Sequence, residues 1–168
     1  MIPRKLAVCG LFSALCVVMM LLGSIFGLGI YAVPMLISLI LAVPGNKYGR
    51  GTHLLLWSVV GVLSLILVPE LEQSLMFLLI FGPYPILYPF FQKQRLILRL
   101  VGKFLYFNIT VLLVEAIVFA LLFPDGIGAL LAAALLLLGN VIFFCYDHLI
   151  PRANFLMQRY LKKYYDKL

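Results

Sequence analysis

A long run of residues without charge constrains this fold more than any other feature. Residues 6–46 contain no Asp, Glu, Lys or Arg. As one α-helix, at about 1.5 Å per residue, the run would measure roughly 60 Å, which is about twice the hydrocarbon thickness of a bilayer. Two membrane-spanning helices fit this length and one does not, and the glycine-rich residues 23–29 predict the turn between them.

The composition excludes a water-soluble globule. Of the 168 residues, 65% are apolar and only 11% are charged, whereas a soluble domain has about 25% charged residues. This chain therefore has too little charge to coat a folded surface in water. The bilayer is the expected solvent, and membrane lipid is an expected partner.

The positions of the charged residues indicate the topology. The chain carries 13 Lys and Arg against 6 Asp and Glu, and the basic residues fall into four clusters separated by long apolar intervals. Lys- and Arg-rich loops stay in the cytoplasm, so an even number of crossings is expected between two clusters. The basic surplus therefore records the topology, and we expect no nucleic-acid partner.

Each of the two later intervals is divided by a turn. Residues 69–73 contain a proline and two glutamates, and residues 123–128 contain Pro124, Asp125 and two glycines, all of which favour turns. We predict an all-α integral membrane protein, a single domain over residues 1–168, with six helices in three hairpins and both termini cytoplasmic. The approximate helices are 5–23, 30–43, 51–68, 73–90, 103–123 and 128–147, and the second, at about 21 Å, is short for a span.

Two basic segments are typical of helices that lie on the membrane surface. In residues 93–103, Arg95, Arg99 and Lys103 recur every four residues with aliphatic side chains between them. The tail, residues 152–168, also combines an apolar stripe with a charged side. We expect both segments to bind anionic lipid, and docking of a cytoplasmic protein is the alternative.

No group of residues predicts catalysis. His53 and His148 lie near predicted cytoplasmic helix ends, where we expect them to reach the membrane interface, and they form no zinc-protease motif. The three cysteines lack the spacing of metal ligands and are expected to be reduced packing residues. We therefore expect no enzyme and no resident metal or cofactor.

Glu115 is the acidic residue that a membrane location explains least. It lies within the fifth predicted helix, where an ionised carboxylate is costly. Asn108 lies seven residues earlier, and Asn140 and Asp147 repeat this spacing in the antiparallel last helix. We predict that Asp147 meets Lys103 and that Asn140 meets Asn108 more deeply. Glu115 is left without a partner, and it marks either a ligand or ion path or a protonated carboxyl that bonds to a neighbouring helix.

Small side chains form a stripe on the first predicted helix. Ala7, Gly10 and Ala14 are three and four residues apart, so they share a face that another helix can approach closely. Packing within the chain is the expected role of this stripe, and contact with a partner protein is the alternative.

Taken together, these features resemble the substrate-binding S components of energy-coupling factor vitamin transporters. The resemblance covers the plan of nearly the whole chain: a short six-helix protein with a basic start and both ends cytoplasmic. In that family an Ala-x-x-x-Ala motif in the first helix contacts the transmembrane T component, and Gly10 and Ala14 occupy those positions here. The resemblance implies a bacterial cytoplasmic membrane protein that works with a T component and two ATPases.

The resemblance also implies a kind of ligand. S components hold a vitamin near the outer surface, so this chain would bind a small, mostly apolar or cationic nutrient there for uptake. By position alone, the candidate binding residues are Tyr31, Glu72, Glu115 and Asp125.

Two functions of other classes are alternatives. One is a non-transporting scaffold of the cell envelope, of the cell-shape or assembly type, in which the two basic surface segments recruit cytoplasmic partners. The other is an ion or proton path centred on Glu115, although a single carboxylate with no relay makes a poor conduit.

Overall fold

The described residues of the protein form helices and the turns between them. The computed structural model describes residues 2–27, 29–122, 129–156 and 159. Its elements are α1 (Ile2–Ile25), α2 (Ala32–Tyr48), α3 (Arg50–Leu67), α4 (Leu71–Leu75), a π-helix (Met76–Phe81), α5 (Tyr84–Gln92), α6 (Leu96–Leu122) and α7 (Ala129–Leu156). No strand occurs in these ranges, which confirms the all-α class for the part described. The predicted turn at residues 123–128, which includes Asp125, lies outside the described residues.

Four helical stretches are long and apolar enough to cross a bilayer, and α2 is an apolar but shorter helix of 17 residues. The four are Lys5–Ile25, Arg50–Leu67, Leu71–Gln92 and Leu96–Leu121. Large aliphatic side chains cover their outer faces, and Leu6 and Ile66 are each 73% exposed. An apolar surface of this extent is stable against lipid and not against water. The helices therefore indicate a membrane-embedded protein.

The second helix is longer than its sequence predicts. Pro44 and Gly45 suggest an end at residue 43, but α2 continues through both and ends at Tyr48. Its break comes at Gly49, whose φ of 94° lies in the left-handed region that favours glycine. The Gly49 N–H donates to the Gly45 carbonyl, so the end of α2 is capped by the backbone.

The predicted surface helix over residues 93–103 is not a separate element. Residues from Leu96 onward belong to α6, which continues without a break to Leu122. Lys103 does not share the exposed stripe predicted for it, because it is buried and pairs with Asp147. In the tail, residues 152–156 continue α7 through Pro151, and of the rest of the tail only Arg159 is described.

The core has two parts. One lies between α1, α2 and α3 and contains aliphatic and sulfur side chains such as Cys16, Met20 and Ile37. The other joins the Leu71–Gln92 stretch to α6 and α7 and is rich in aromatic rings. In it, Phe107 and Phe143 stack with ring centroids 4.4 Å apart. The aromatic part therefore holds the second half of the chain together.

Contacts between distant helices define one end of the bundle, which we call the basic end. Asn46 Nδ2 donates to Asn154 Oδ1 at 2.9 Å and joins α2 to α7 there. The Lys5 ammonium lies 5.5 Å from the centre of the Tyr48 ring. Lys47, next to Asn46, and Arg50 at the start of α3 lie toward this end as well, which gives it its name.

The opposite end carries Glu70 and Glu72, and we call it the acidic end. Gln73 Nε2 donates to the Met20 carbonyl at 3.3 Å and links α4 to α1 there. Glu70 and Glu72 lie beside Gln73 at the start of α4. Lys5 and Met20 are 15 residues apart on α1, so these two sets of contacts mark opposite ends of that helix.

Candidate functional site

The π-helix lies where two prolines interrupt normal helical bonding. Pro83 and Pro85 have no N–H, so they cannot bond the carbonyls of Leu79 and Phe81 four residues earlier. A carbonyl left unpaired inside a membrane protein is costly. The Leu71–Gln92 stretch therefore needs donors from other helices.

Three side chains supply these donors. Trp57 Nε1 donates to the Leu78 carbonyl at 3.0 Å. The Tyr106 hydroxyl lies 2.9 Å from the Leu79 carbonyl oxygen and 3.0 Å from that of Ile80. The Tyr146 hydroxyl lies 3.3 Å from the Phe81 carbonyl. The irregular backbone is thus held by α3, α6 and α7 at once.

A buried ion pair lies next to this irregular backbone. Lys103 Nζ donates to both carboxylate oxygens of Asp147, at 2.7 and 2.8 Å. The Tyr84 hydroxyl donates to Asp147 Oδ1 at 2.5 Å, and the Lys103 ammonium lies 4.6 Å from the centre of the Tyr88 ring. The predicted meeting of Asp147 with Lys103 is confirmed, and two tyrosines of α5 complete the cluster.

The predicted asparagine pair is also present. Asn108 Nδ2 donates to Asn140 Oδ1 at 2.9 Å, and Asn140 Nδ2 donates back to Asn108 Oδ1 at 2.9 Å. Each amide also donates to a carbonyl of its own helix, at Phe104 and Leu136. All four N–H donors of the two amides are satisfied, so the pair links α6 to α7 and leaves no donor free for a ligand.

Three of the four predicted binding residues lie close enough to one another to interact electrostatically. Tyr31 lies in the turn before α2, Glu72 in the first turn of α4 and Glu115 in α6, and all three are half-buried. Burial, and then the carboxylates of Glu72 and Glu115, raise the pKa of the Tyr31 phenol from 10.0 to about 12. The fourth residue, Asp125, lies outside the described residues.

The two carboxylates of this cluster have no cationic partner in the part of the chain that the structure describes. The salt bridge found there is Lys103–Asp147, which lies toward the basic end. Glu115 instead acts electrostatically on Glu72 across the contact between α4 and α6, and Glu70 does so as well. Two carboxylates and a phenol in a half-buried setting attract a cation more strongly than they would in water.

The small-residue stripe of α1 faces outward. Ala7, Gly10 and Ala14 are all exposed, and a Cβ added at Gly10 would have no atom within 4 Å. The expectation that the stripe packs inside the chain is therefore wrong. Its backbone is open to lipid or to a helix of another protein.

The predicted positions of the two histidines agree less well with the structure than those of the two asparagines. His53 is 6% exposed, and its ring packs against Gly45 instead of reaching the membrane interface. Its Nε2 has no hydrogen-bond partner among the described residues. His148 is exposed and contacts the Phe144 carbonyl of its own helix. The described residues contain no cluster of three metal-ligating side chains.

Comparison with known proteins adds no relative. No family model, no curated protein and no solved structure matches the chain.

Proposed function

We propose that the chain crosses the membrane six times, with both termini and the basic end in the cytoplasm. This topology is supported by the apolar helices and by the basic residues Lys5, Lys47 and Arg50, which lie near the ends of α1, α2 and α3. Lys- and Arg-rich ends stay cytoplasmic during insertion. The acidic end, with Glu72 and Tyr31, then faces outward.

The protein binds a small cationic nutrient at the acidic end and acts as an S-component-like uptake subunit in a bacterial cytoplasmic membrane. The observation that carries this proposal is the convergence of Tyr31, Glu72 and Glu115 from three separate segments of the chain. A cation between the two carboxylates would relieve their mutual repulsion, and the phenol adds both an aromatic face and a hydroxyl. A neutral apolar nutrient would leave both carboxylates unpaired, so the cluster favours a cation.

The outward stripe of α1 is the proposed contact with the energising partner. Ala7, Gly10 and Ala14 leave a flat, exposed backbone face that a helix of a T component can approach closely. Two ATPases would complete the complex. The resemblance of Gly10 and Ala14 to the family motif supports this assignment.

Ligand binding tests the proposed nutrient site. The midpoint temperature of unfolding of the purified protein is measured with each of a panel of small cationic nutrients and their neutral analogues. Kd is then measured for the compound that raises this temperature. We expect a cation to stabilise the wild type and Glu115→Gln to weaken its binding about tenfold or more, since a charge-assisted hydrogen bond is worth about 1.5–3 kcal/mol. Glu115→Asp, which keeps the carboxylate at the same position, is the control. Equal affinity of these two variants would remove Glu115 from the site.

Co-purification tests the docking face. The protein is expressed with a T component and its two ATPases, and the amount of ATPase recovered with it is measured. Ala14→Trp should abolish recovery, because the indole prevents close helix approach. Leu55→Trp, at an exposed position on α3, should leave it intact. Unchanged recovery with Ala14→Trp would show that the stripe is not the docking face.

A cell-envelope scaffold is the second candidate. It is supported by the first turns of α6, where Leu96, Ile97 and Leu98 are 62, 74 and 59% exposed next to Arg95. This surface would recruit a cytoplasmic assembly protein. Pull-downs that recover envelope-assembly proteins and no ATPase would favour the scaffold over the uptake subunit.

A further inference from the structure

The Lys103 side chain is held as a ligand would be held. Its ammonium gives one N–H to each oxygen of Asp147, at 2.7 and 2.8 Å, and its charge faces the Tyr88 ring at 4.6 Å. Tyr84 donates to the same carboxylate. The Lys103 side chain is only 5% exposed, so its ammonium has exchanged nearly all its water for the Asp147 carboxylate and the Tyr88 ring.

We propose that Asp147, Tyr84 and Tyr88 form a binding site for a primary ammonium ion, and that Lys103 is its tethered ligand. A carboxylate that accepts two N–H bonds selects an ammonium that carries hydrogens, and an aromatic face adds a cation–π contact. A quaternary ammonium has no N–H and cannot satisfy the carboxylate. The site therefore takes a small primary amine when the lysine ammonium is removed.

The site and its ligand belong to different helices. Tyr84 and Tyr88 lie on α5 and Asp147 lies on α7, whereas Lys103 comes from α6. The tethered ammonium thus links α5, α6 and α7 toward the basic end, next to the backbone that Pro83 interrupts. None of these residues belongs to the nutrient cluster at the acidic end, so this proposal stands or fails independently of the proposed function.

Chemical rescue of a shortened lysine tests the proposal. Lys103→Ala removes three methylene carbons and the ammonium nitrogen, which together match propylammonium in size and charge. The midpoint temperature of unfolding, Tm, is measured for the purified protein in detergent with propylammonium chloride, tetramethylammonium chloride or sodium chloride at equal ionic strength. We expect Lys103→Ala to lower Tm by several degrees, and propylammonium alone to restore it in a saturable manner.

Matched variants exclude a general salt effect. The wild type should not respond to propylammonium, because Lys103 already occupies the site. The double variant Lys103→Ala with Asp147→Asn should lose the response, because the carboxylate that selects the ammonium is gone. A response of Lys103→Ala to tetramethylammonium as large as to propylammonium, or an equal response of the double variant, would overturn the proposal.

A second variant covers the case in which Lys103→Ala does not fold. Lys103→Met keeps an unbranched apolar stem and removes the terminal nitrogen, so ammonium chloride is the matching probe. We expect ammonium to raise the Tm of Lys103→Met more than sodium does at the same concentration. If neither ammonium nor propylammonium rescues its variant, the site does not bind a free ammonium and the proposal is wrong.

Discussion

Polar side chains inside this bundle bond to backbone carbonyls and to one another, and the spacing of the residues in the sequence explains which side-chain pairs could be predicted. Asn108 with Asn140, and Lys103 with Asp147, lie on adjacent antiparallel helices at matching depths, so counting along the two helices was enough to pair them. The hydroxyl of Tyr146 meets Ser38, which is 108 residues away on α2. No local spacing relates those two residues, so this contact depends on how α2 and α7 pack.

A double-mutant cycle should show that the asparagine pair stabilises the bundle as a unit. Asn108→Leu and Asn140→Leu alone should each lower the free energy of unfolding by about 1 kcal/mol, because each leaves the other amide short of a partner in an apolar setting. The double variant should lose less than the sum of the two. The free energy of unfolding in mixed micelles is measured for the wild type, the two single variants and the double variant. Strictly additive losses would mean that the two amides do not depend on each other.

The ionisation of Tyr31 should report on the acidic cluster. Since Glu72 and Glu115 both contribute to the raised pKa of its phenol, Glu115→Gln should lower that pKa from about 12 toward 10. Burial is the larger cause, so the pKa should remain above 10.0. Tyrosinate absorbance is titrated against pH, with the matching Tyr31→Phe protein subtracted. An unchanged pKa would show that Glu115 does not act on Tyr31.

The same shift sets the direction of a pH effect on stability. The folded-state pKa of Tyr31 lies above its unfolded value, so the folded protein favours the protonated phenol. The contribution of Tyr31 to stability should therefore be fully present below pH 10 and lost as the pH rises toward about 12. Tyr31→Phe should remove this part of the pH dependence of unfolding.

At the level of helices, the sequence predicted where most segments lie but not how the backbone is paired. Runs of apolar residues and intervening turns locate the spans, because those signals depend on length and composition. Residues 73–90 are predicted as one helix, whereas the structure has a π-helix at Met76–Phe81 that depends on donors from Trp57 and Tyr106 in other helices. Contacts of that kind arise from tertiary packing and have no local signature. For the same reason, the burial of Lys103 could not be read from its basic neighbours.

Gly82 should be essential to the contact between α3 and the π-helix. A Cβ at this position would lie 2.3 Å from Trp57 Cδ1 and 2.8 Å from the Phe77 carbonyl oxygen. We therefore expect Gly82→Ala to displace the indole and to lower the free energy of unfolding by about 1–3 kcal/mol. Trp57 is the single tryptophan, so its fluorescence spectrum should shift as well.

Gly51→Ala provides the matched control for this prediction. Gly51 also lies in a helix, and a Cβ there would meet no atom within 4 Å. Its spectrum and its stability should stay close to those of the wild type. If Gly82→Ala behaved like Gly51→Ala, the indole would not be packed against this glycine.

At the scale of the whole molecule, the two candidate sites for a cation lie toward different ends and differ in their charge balance. The Lys103–Asp147 pair lies toward the basic end and is satisfied within the chain, whereas the carboxylates of Glu72 and Glu115 have no cation beside them in the described residues. A cationic ligand is therefore expected at the acidic end. The outward stripe on α1 is a third, separate surface. The sequence predicts Glu115 within a helix but Glu72 in the turn before the fourth span, whereas Glu72 lies in the first turn of α4. It could not show that α4 and α6 contact each other.

Cysteine labelling should reveal which end faces outward. A variant in which Cys9, Cys16 and Cys145 are replaced by alanine provides the background, since these are the three cysteines of the chain. Glu70→Cys should react with a membrane-impermeable maleimide in intact cells, because the acidic end is proposed to face outward. Lys93→Cys, in the turn between α5 and α6 at the basic end, should react only after the cells are opened. Labelling of Lys93→Cys but not of Glu70→Cys in intact cells would reverse the topology and place the acidic cluster on the cytoplasmic side, where a nutrient-uptake subunit could not use it.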